Sequence, residues 1–361
     1  LTLLRRLGLD VATDGEVWSV TAPTYRFDLT LEVDLIEEVA RLHGYDAIPA
    51  SAPHGGASMR PAGERERPVA AVKTRMTSMG YQEVITYSFI SEELQADLGG
   101  GGERIALVNP IASQLSVMRG SLMPGLLATL SHNLNHGQER LRIFELGRCF
   151  NGMEPDRQPL RLAGLCHGDV RPEQWADAAR RVDFFDVKGD LEALLAPRAL
   201  IFIADAHPSL HPGQCARMQL EGRDVGWLGS LHPTLVQKYD LGAAPVLFEL
   251  DWAAIAGRDL PVFQPIPRLP AVRRDLAVLV EEGVRVGDML NTVRASLPAL
   301  ITDFRLFDVY RGQGVEDGKK SVAFSMLLQH TEKTLTEPEI EAAVARVLDL
   351  LTTHYQARLR V

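Results

Sequence analysis

Apolar residues along this chain recur at two periods, and the places where the period changes divide it into segments. In "LTLEVDLIEEVARLHGYDAIP", Leu35, Ile36, Val39 and Leu42 recur at helical spacing, and Gly44 is a natural stop. Val69 to Met79 reads as a second helix ended by Gly80. "YQEVITYSFI", Tyr81 to Ile90, alternates like a strand. Asn109 to Leu122 reads as a loop that enters a helix reaching Asn133. Leu141 to Phe150 is a strand, a helix starts at Asp183 and runs to Leu195, and Val246 to Trp252 is a late strand. The last third alternates more regularly. Strands are expected at Arg274 to Glu281, Ile301 to Tyr310, Lys320 to Gln329 and Tyr355 to Val361, and helices at Val286 to Leu297 and Glu337 to Leu351. That order, βαββαβ, is ferredoxin-like. Strands and helices mixed in this way predict an α+β chain with largely antiparallel sheets.

Two breaks punctuate the pattern. Pro49 to Pro68 is rich in Pro, Gly, Ser and Ala, and Phe263 to Asp275 holds three prolines. They predict a small module over residues 1–52, a linker over 53–66, a larger domain over 67–264 and a C-terminal domain over 268–361.

Composition narrows the picture. An apolar fraction of 46% supports real cores and a charged fraction of 24% suits a water-exposed surface. No apolar run approaches the roughly 20 residues of a membrane span, so no membrane partner is expected. Leu1 stands where Met would start a chain, as expected of a fragment or a processed product, and no signal-peptide pattern follows it. Cys149, Cys166 and Cys215 are odd in number and far apart, which points away from a disulfide framework and towards a reducing cytoplasm. The net charge of −9 disfavours nucleic acid as a partner until its distribution is considered. From Arg268 onward there are 13 basic and 13 acidic residues, so the C-terminal region is neutral and can carry a local basic patch.

The densest candidate chemistry is acidic. Asp34, Glu37 and Glu38 lie on neighbouring positions of the first amphipathic helix, and Asp28 comes one short turn earlier, where it can fold back towards them. Hard divalent cations take such oxygen ligands, and Mg²⁺ usually takes only part of its shell from protein. The same residues also suit a solvated helix start, since acids there favour the macrodipole and Glu37 can pair with Arg41.

Other constellations carry less. His207, His211 and Cys215 are four apart, but Pro208, Pro212 and Gly213 argue against the helix that a metal face would need. His132 and His136 have no third ligand nearby in sequence. "RGQGVEDGKKS", Arg311 to Ser321, has the wrong glycine spacing for a phosphate-binding loop and reads as a hairpin loop whose lysines can meet an RNA backbone. Asp308 and Tyr310, two apart on an expected strand, share one sheet face. An exposed tyrosine beside an acid can stack on a splayed base and read its edge, or it can simply finish the edge of the core.

The segment Pro23 to Pro49 resembles the B5-type module of the bacterial phenylalanyl-tRNA synthetase β subunit, on Pro23, Arg26, Asp28, Asp34-Leu35, Glu37-Glu38, Ala40-Arg41 and Gly44-Tyr45. "YQEVITYSF", "NPI…S…MRGSLMPGLL…N", "FELG" and "HPGQCAR", read as a His-Pro-Gly turn before a strand, are similar to the same subunit's catalytic-like domain. "PAVRRDLAVLV", "LFDVYRGQGVEDGKKSVAF" and "KTLTEPEI" are similar to its ferredoxin-fold anticodon-binding domain, with Lys333 where arginine is common. The resemblance implies a multidomain α+β chain: a winged-helix-like module that starts part-way through, an inactive class II synthetase-like domain and a ferredoxin-like domain. It implies that Asp28, Asp34, Glu37 and Glu38 are this subunit's share of a Mg²⁺ site completed by a catalytic α subunit. ATP would be bound mainly by α, and the whole would be a cytoplasmic (αβ)₂ assembly that charges tRNA(Phe) with phenylalanine.

No catalytic residue is expected in this chain. The arginine and glutamate of an ATP-holding motif 2 strand are misplaced here, where Arg142 is followed by Ile143-Phe144-Glu145, and a second ATP-binding arginine is missing. Upstream tRNA-binding and editing domains would lie outside the chain, so it should not edit. In the C-terminal domain Tyr310 would stack on an anticodon base, Asp308 would read its edge, and Arg273, Arg274, Lys319 and Lys320 would meet phosphates. The rival expectation is a free-standing RNA-binding or scaffold protein built from the same modules.

Overall fold

The structure is a computed structural model that describes every residue except 53–54, 56–62, 102, 264 and 361. Most of the expected linker therefore lies outside the described residues, as does the last residue of the expected C-terminal strand. The chain divides into two compact units, Leu1–Ala62 and Gly63–Val361.

The first unit runs α1 (Thr2–Arg6), a hairpin of β1 (Asp10–Asp14) and β2 (Val17–Thr21), and α2 (Glu32–His43). Gly44 ends α2 at φ 94°, a conformation that suits glycine. The core is small. Leu4, Leu9 and Val11 are buried, with Leu35 and Val39 of α2 packed against them. The apolar stripe of α2 is therefore narrower than its spacing predicts: Ile36 is 59% exposed and Leu42 38%. Ile36 instead lines a groove of about 930 Å³ with Val17, Trp18 and Leu31.

The second unit opens with α3 (Val69–Ser78), β3 (Gln82–Glu83), β4 (Phe89–Ile90), α4 (Glu92–Leu98), β5 (Val117–Met118) and α5 (Met123–Leu134). It continues with β6 (Leu141–Arg148), β7 (Leu160–His167), α6 (Phe184–Leu195), β8 (Leu200–Ala204), β9 (Leu210–Leu220), β10 (Arg223–Leu231), α7 (Pro233–Lys238), β11 (Val246–Asp251) and α8 (Trp252–Ile255). Seven strands form one sheet in the order β3-β6-β7-β11-β10-β9-β8, antiparallel throughout except for the β3–β6 pair. Helices cover both faces. Residues of α3, α6 and α8 pack with Phe144, Leu162, Phe248 and Leu250 on one side, and residues of α4, α5 and α7 pack with Ile143, Ala163, Leu165 and Leu247 on the other.

Two expectations change here. The stretch Tyr81–Ile90 is not one strand but two short ones, β3 and β4, because Thr86 between them turns inward to a buried ion pair instead of continuing the ladder. The sequence His211-Pro212-Gly213 lies inside β9 rather than in a turn before it.

The unit closes with β12 (Val272–Glu281), α9 (Val286–Ala295), β13 (Ile301–Tyr310), β14 (Lys319–Leu328), α10 (Glu337–Tyr355) and β15 (Arg358–Leu359). These strands form a four-stranded antiparallel sheet in the order β13-β14-β12-β15. Leu276, Val278, Val280, Val322, Phe324 and Met326 face α9 and α10 in a common core, which leaves the opposite face open. The last strand is shorter than expected because α10 continues to Tyr355, where Gln356 takes a left-handed turn.

Candidate functional site

The acidic cluster of the first unit is organised around a cation. Arg26 donates to both Asp28 oxygens, at 2.7 and 3.0 Å, and to Glu38 Oε1 at 2.8 Å. Arg41 reaches the other oxygen of Glu38 at 2.5 Å, so it pairs with Glu38 rather than with Glu37 as its spacing allows. Asp34 accepts from the backbone N–H groups of Thr30 and Leu31 at 2.9 and 2.7 Å and so caps the start of α2. Glu37 is exposed and Glu38 is buried.

Among the described residues no three His, Cys, Asp or Glu side chains converge as a metal-ion group. The chemistry of the set, carboxylate oxygens alone, suits a hard cation. Its geometry in this chain by itself does not make a site: Asp28 and Glu38 are engaged by Arg26, and Asp34 by backbone donors.

The hydrogen bond from Arg26 holds the carboxyls of Asp28 and Glu38 below the ordinary carboxylate range, against the opposing effect of desolvation; Arg41 adds to it at Glu38. A depressed carboxyl stabilises the fold above its ordinary value, about 4 for these groups, and loses that contribution as pH falls through the depressed one. The parent should therefore melt above an Arg26→Ala variant at pH 7, and the gap should narrow towards pH 3. An equal gap at both would show that the ion pair adds nothing.

In the middle of the second unit, Arg142 and Glu145 are three apart on β6 and so lie on opposite faces of the sheet. Arg142 pairs with Asp190 of α6 and lies over the ring of Tyr81. Glu145 accepts from Arg119 at 2.8 Å and from the Thr86 hydroxyl at 2.7 Å, with both charged side chains 4% exposed. The rings of His132 and His136 lie 4.3 Å apart and tilted by 34° near the end of α5, and His211 accepts from the N–H of Gly213.

The open face of the C-terminal sheet holds most of the remaining candidates. Cross-strand register sets Asp308 beside Ala323 and Ala277, and Tyr310 beside Ser321 and Leu279. Asp308 and Tyr310 therefore share one face, past a register shift between Leu306 and Asp308. Tyr310 is 37% exposed, and its hydroxyl donates to the Gln313 carbonyl at 3.3 Å. Arg273 and Lys319 sit on the same face, paired with Asp275 and Glu316 respectively. Arg274 points to the helix side, where it meets Glu337 at the start of α10. Lys320 is buried and donates to the Glu282 carbonyl at 2.7 Å, so its ammonium is not presented to an RNA backbone.

The model of the phenylalanyl tRNA synthetase beta chain CLM domain matches residues 48–252, more than half of the chain. The chain belongs to the phenylalanyl-tRNA synthetase β chain family. A tRNA synthetase B5 domain matches residues 1–45 before it, and a ferredoxin-fold anticodon binding domain matches residues 267–360 after it. Phenylalanine–tRNA ligase beta subunits are similar across 99% of the chain: 46% identical in Aromatoleum aromaticum, 43% in Dechloromonas aromatica and 47% in Thiobacillus denitrificans. The chain spans about half the length of these relatives, 46%, 46% and 45% of them respectively.

One residue of the anticodon-binding domain escapes a reading by motif. The guanidinium of Arg360 lies 5.0 Å from the centre of the Tyr310 ring, although β15 and β13 are opposite edges of the sheet. The small side chains of Ala277, Ser321 and Ala323 between them leave room for that reach. The signal in sequence is the alternation Arg358-Leu359-Arg360, which puts both arginines on one face of the last strand.

Proposed function

We propose that this chain acts as the non-catalytic β-subunit portion of a phenylalanine–tRNA ligase, pairing with a catalytic α subunit and reading the anticodon of tRNA(Phe). One observation carries the reading: Asp308 and Tyr310 stand together on the open face of a sheet whose other face is sealed by α9 and α10, in a domain of anticodon-binding type. Tyr310 supplies a ring on which a splayed base stacks, and Asp308 accepts hydrogen bonds from a base edge. Arg360 caps the ring, and Arg273 and Lys319 offer charge to phosphates; Arg274 joins them only by leaving Glu337.

Phenylalanine and ATP would be handled by α. In support, Arg142 and Glu145, on opposite sheet faces, cannot jointly hold a nucleotide, and each is already paired within the domain. Asp28, Asp34, Glu37 and Glu38 would hold Mg²⁺ together with α, which would link the two subunits electrostatically; the cation must then be shared with Arg26 or displace it. The assembly would be an (αβ)₂ tetramer working in the cytoplasm.

The reading is tested by titrating the chain with the anticodon stem-loop of tRNA(Phe) and with the same stem-loop carrying a different anticodon. Tighter binding of the first is expected. Equal binding would favour sequence-blind RNA attachment and the scaffold alternative.

A further inference from the structure

The open face of the C-terminal sheet carries a second exposed ring. Between the pairs Leu306–Phe324 and Asp308–Ala323, β13 advances two residues while β14 advances one. Such a bulge leaves its extra residue, here Phe307, out of the ladder and re-aims the side chains after it. Leu306 lies opposite Phe324, which belongs to the core on the helix side. Alternation from Leu306 therefore turns Phe307 to the open face, and the bulge keeps Asp308 and Tyr310 there as well. Phe307 is 52% exposed, more than Tyr310 at 37%.

Both rings meet a guanidinium from another strand. Arg273 of β12 lies 5.7 Å from the centre of the Phe307 ring, as Arg360 lies 5.0 Å from that of Tyr310. Where Arg273 crosses β14, the residues facing it are Ala323 and Ser325, whose small side chains leave room for the reach. A cation settles over an aromatic face because the ring presents its negative quadrupole there, and an unpaired base can use the same face. Phe307 and Tyr310 are three residues apart, within about 10 Å at about 3.3 Å per residue. Four-stranded sheets with one open face stack two or three unpaired bases on rings placed in this way.

We propose that Phe307 is a second base-stacking residue, which takes a different base of the RNA loop from the one on Tyr310, with Arg273 beside it as Arg360 is beside Tyr310. This rests on the proposed function, in which Tyr310 supplies the only ring and Arg273 only charge. A single-stranded RNA loop is the occupant this face suits: the rings offer flat apolar surfaces to bases, and the arginines next to them offer charge to the backbone. Two rings hold two bases splayed apart, so Asp308 between them meets the edge of a base already fixed in place.

The test is binding of the anticodon stem-loop of tRNA(Phe) to the whole chain and to its Phe307→Ala and Tyr310→Ala variants, read by fluorescence anisotropy. It is repeated with stem-loops that carry an abasic nucleotide at each anticodon position in turn. Phe307→Ala should weaken binding of the intact stem-loop by about 5- to 150-fold. It should add no further loss at one abasic position, and Tyr310→Ala should add none at a different one. Phe307→Tyr keeps a ring and should bind within about twofold of the parent, which separates stacking from damage to the fold. Parent-like binding by Phe307→Ala beside a weakened Tyr310→Ala would overturn the second ring and leave the proposed function standing. So would an equal further loss at every abasic position, or the same silent position for both residues. Parent-like binding by both alanine variants would overturn anticodon reading on this face, and the second ring with it.

Discussion

Replacing Glu145 by glutamine will cost the middle domain about 3–5 kcal/mol of stability, the usual result of leaving one member of a buried ion pair without its counter-charge. Arg119 is the member left behind. Its guanidinium also donates to the Arg148 carbonyl at 3.0 Å and to the Thr86 hydroxyl, so it is tied on three sides and cannot swing out to water. Urea unfolding followed by tryptophan fluorescence reads the effect, because three of the four tryptophans, Trp175, Trp227 and Trp252, lie in this domain and the fourth, Trp18, lies in the first unit. The cost belongs to the broken pair rather than to the lost carboxylate as such. Arg119→Met combined with Glu145→Leu should therefore recover much of the loss in stability. A single substitution that costs less than about 1 kcal/mol would mean that water reaches Arg119.

The second large effect is on RNA. Under the proposed function, Tyr310→Ala removes the stacking ring and should weaken binding of the anticodon stem-loop by about 1–3 kcal/mol, roughly 5- to 150-fold. Tyr310→Phe keeps the ring and loses only the 3.3 Å bond to Gln313, so it should bind within about twofold of the parent. Fluorescence anisotropy with labelled stem-loop measures both. A Tyr310→Ala variant that binds as tightly as the parent would remove the ring from the reading and leave Asp308 without its companion.

The ferredoxin-like domain was legible almost residue by residue. Its sheet is covered on one face only, so its strands alternate and its helices keep one stripe, as at Leu276, Val278 and Val280 of β12. The middle domain was harder, since its sheet is covered on both faces. Central strands such as β7, with Leu162 to His167 all buried, read as continuous apolar runs that alternation does not mark. β9 escaped for another reason, its His-Pro-Gly start, which carries the signals of a turn.

The sites divide in the same way. The acids of the first module and the pair Asp308 and Tyr310 could be named from motif and period. What could not be foreseen was which cation each acid would take, because Arg26 reaches Glu38 across 12 residues of chain. Nor could the burial of Lys320 be foreseen: its neighbour Lys319 lies on the opposite face, and residue type alone does not say which of two adjacent lysines turns inward. Arg360 was invisible to motif because its contact crosses the whole sheet.

Under the proposed function this chain, about half the length of its β-subunit relatives, pairs with a catalytic α subunit. The most direct measurement is the molar mass of the chain co-purified with a bacterial α subunit, with and without Mg²⁺. A stable particle holding two copies of each chain is expected. Separate elution of the two proteins under both conditions would contradict it.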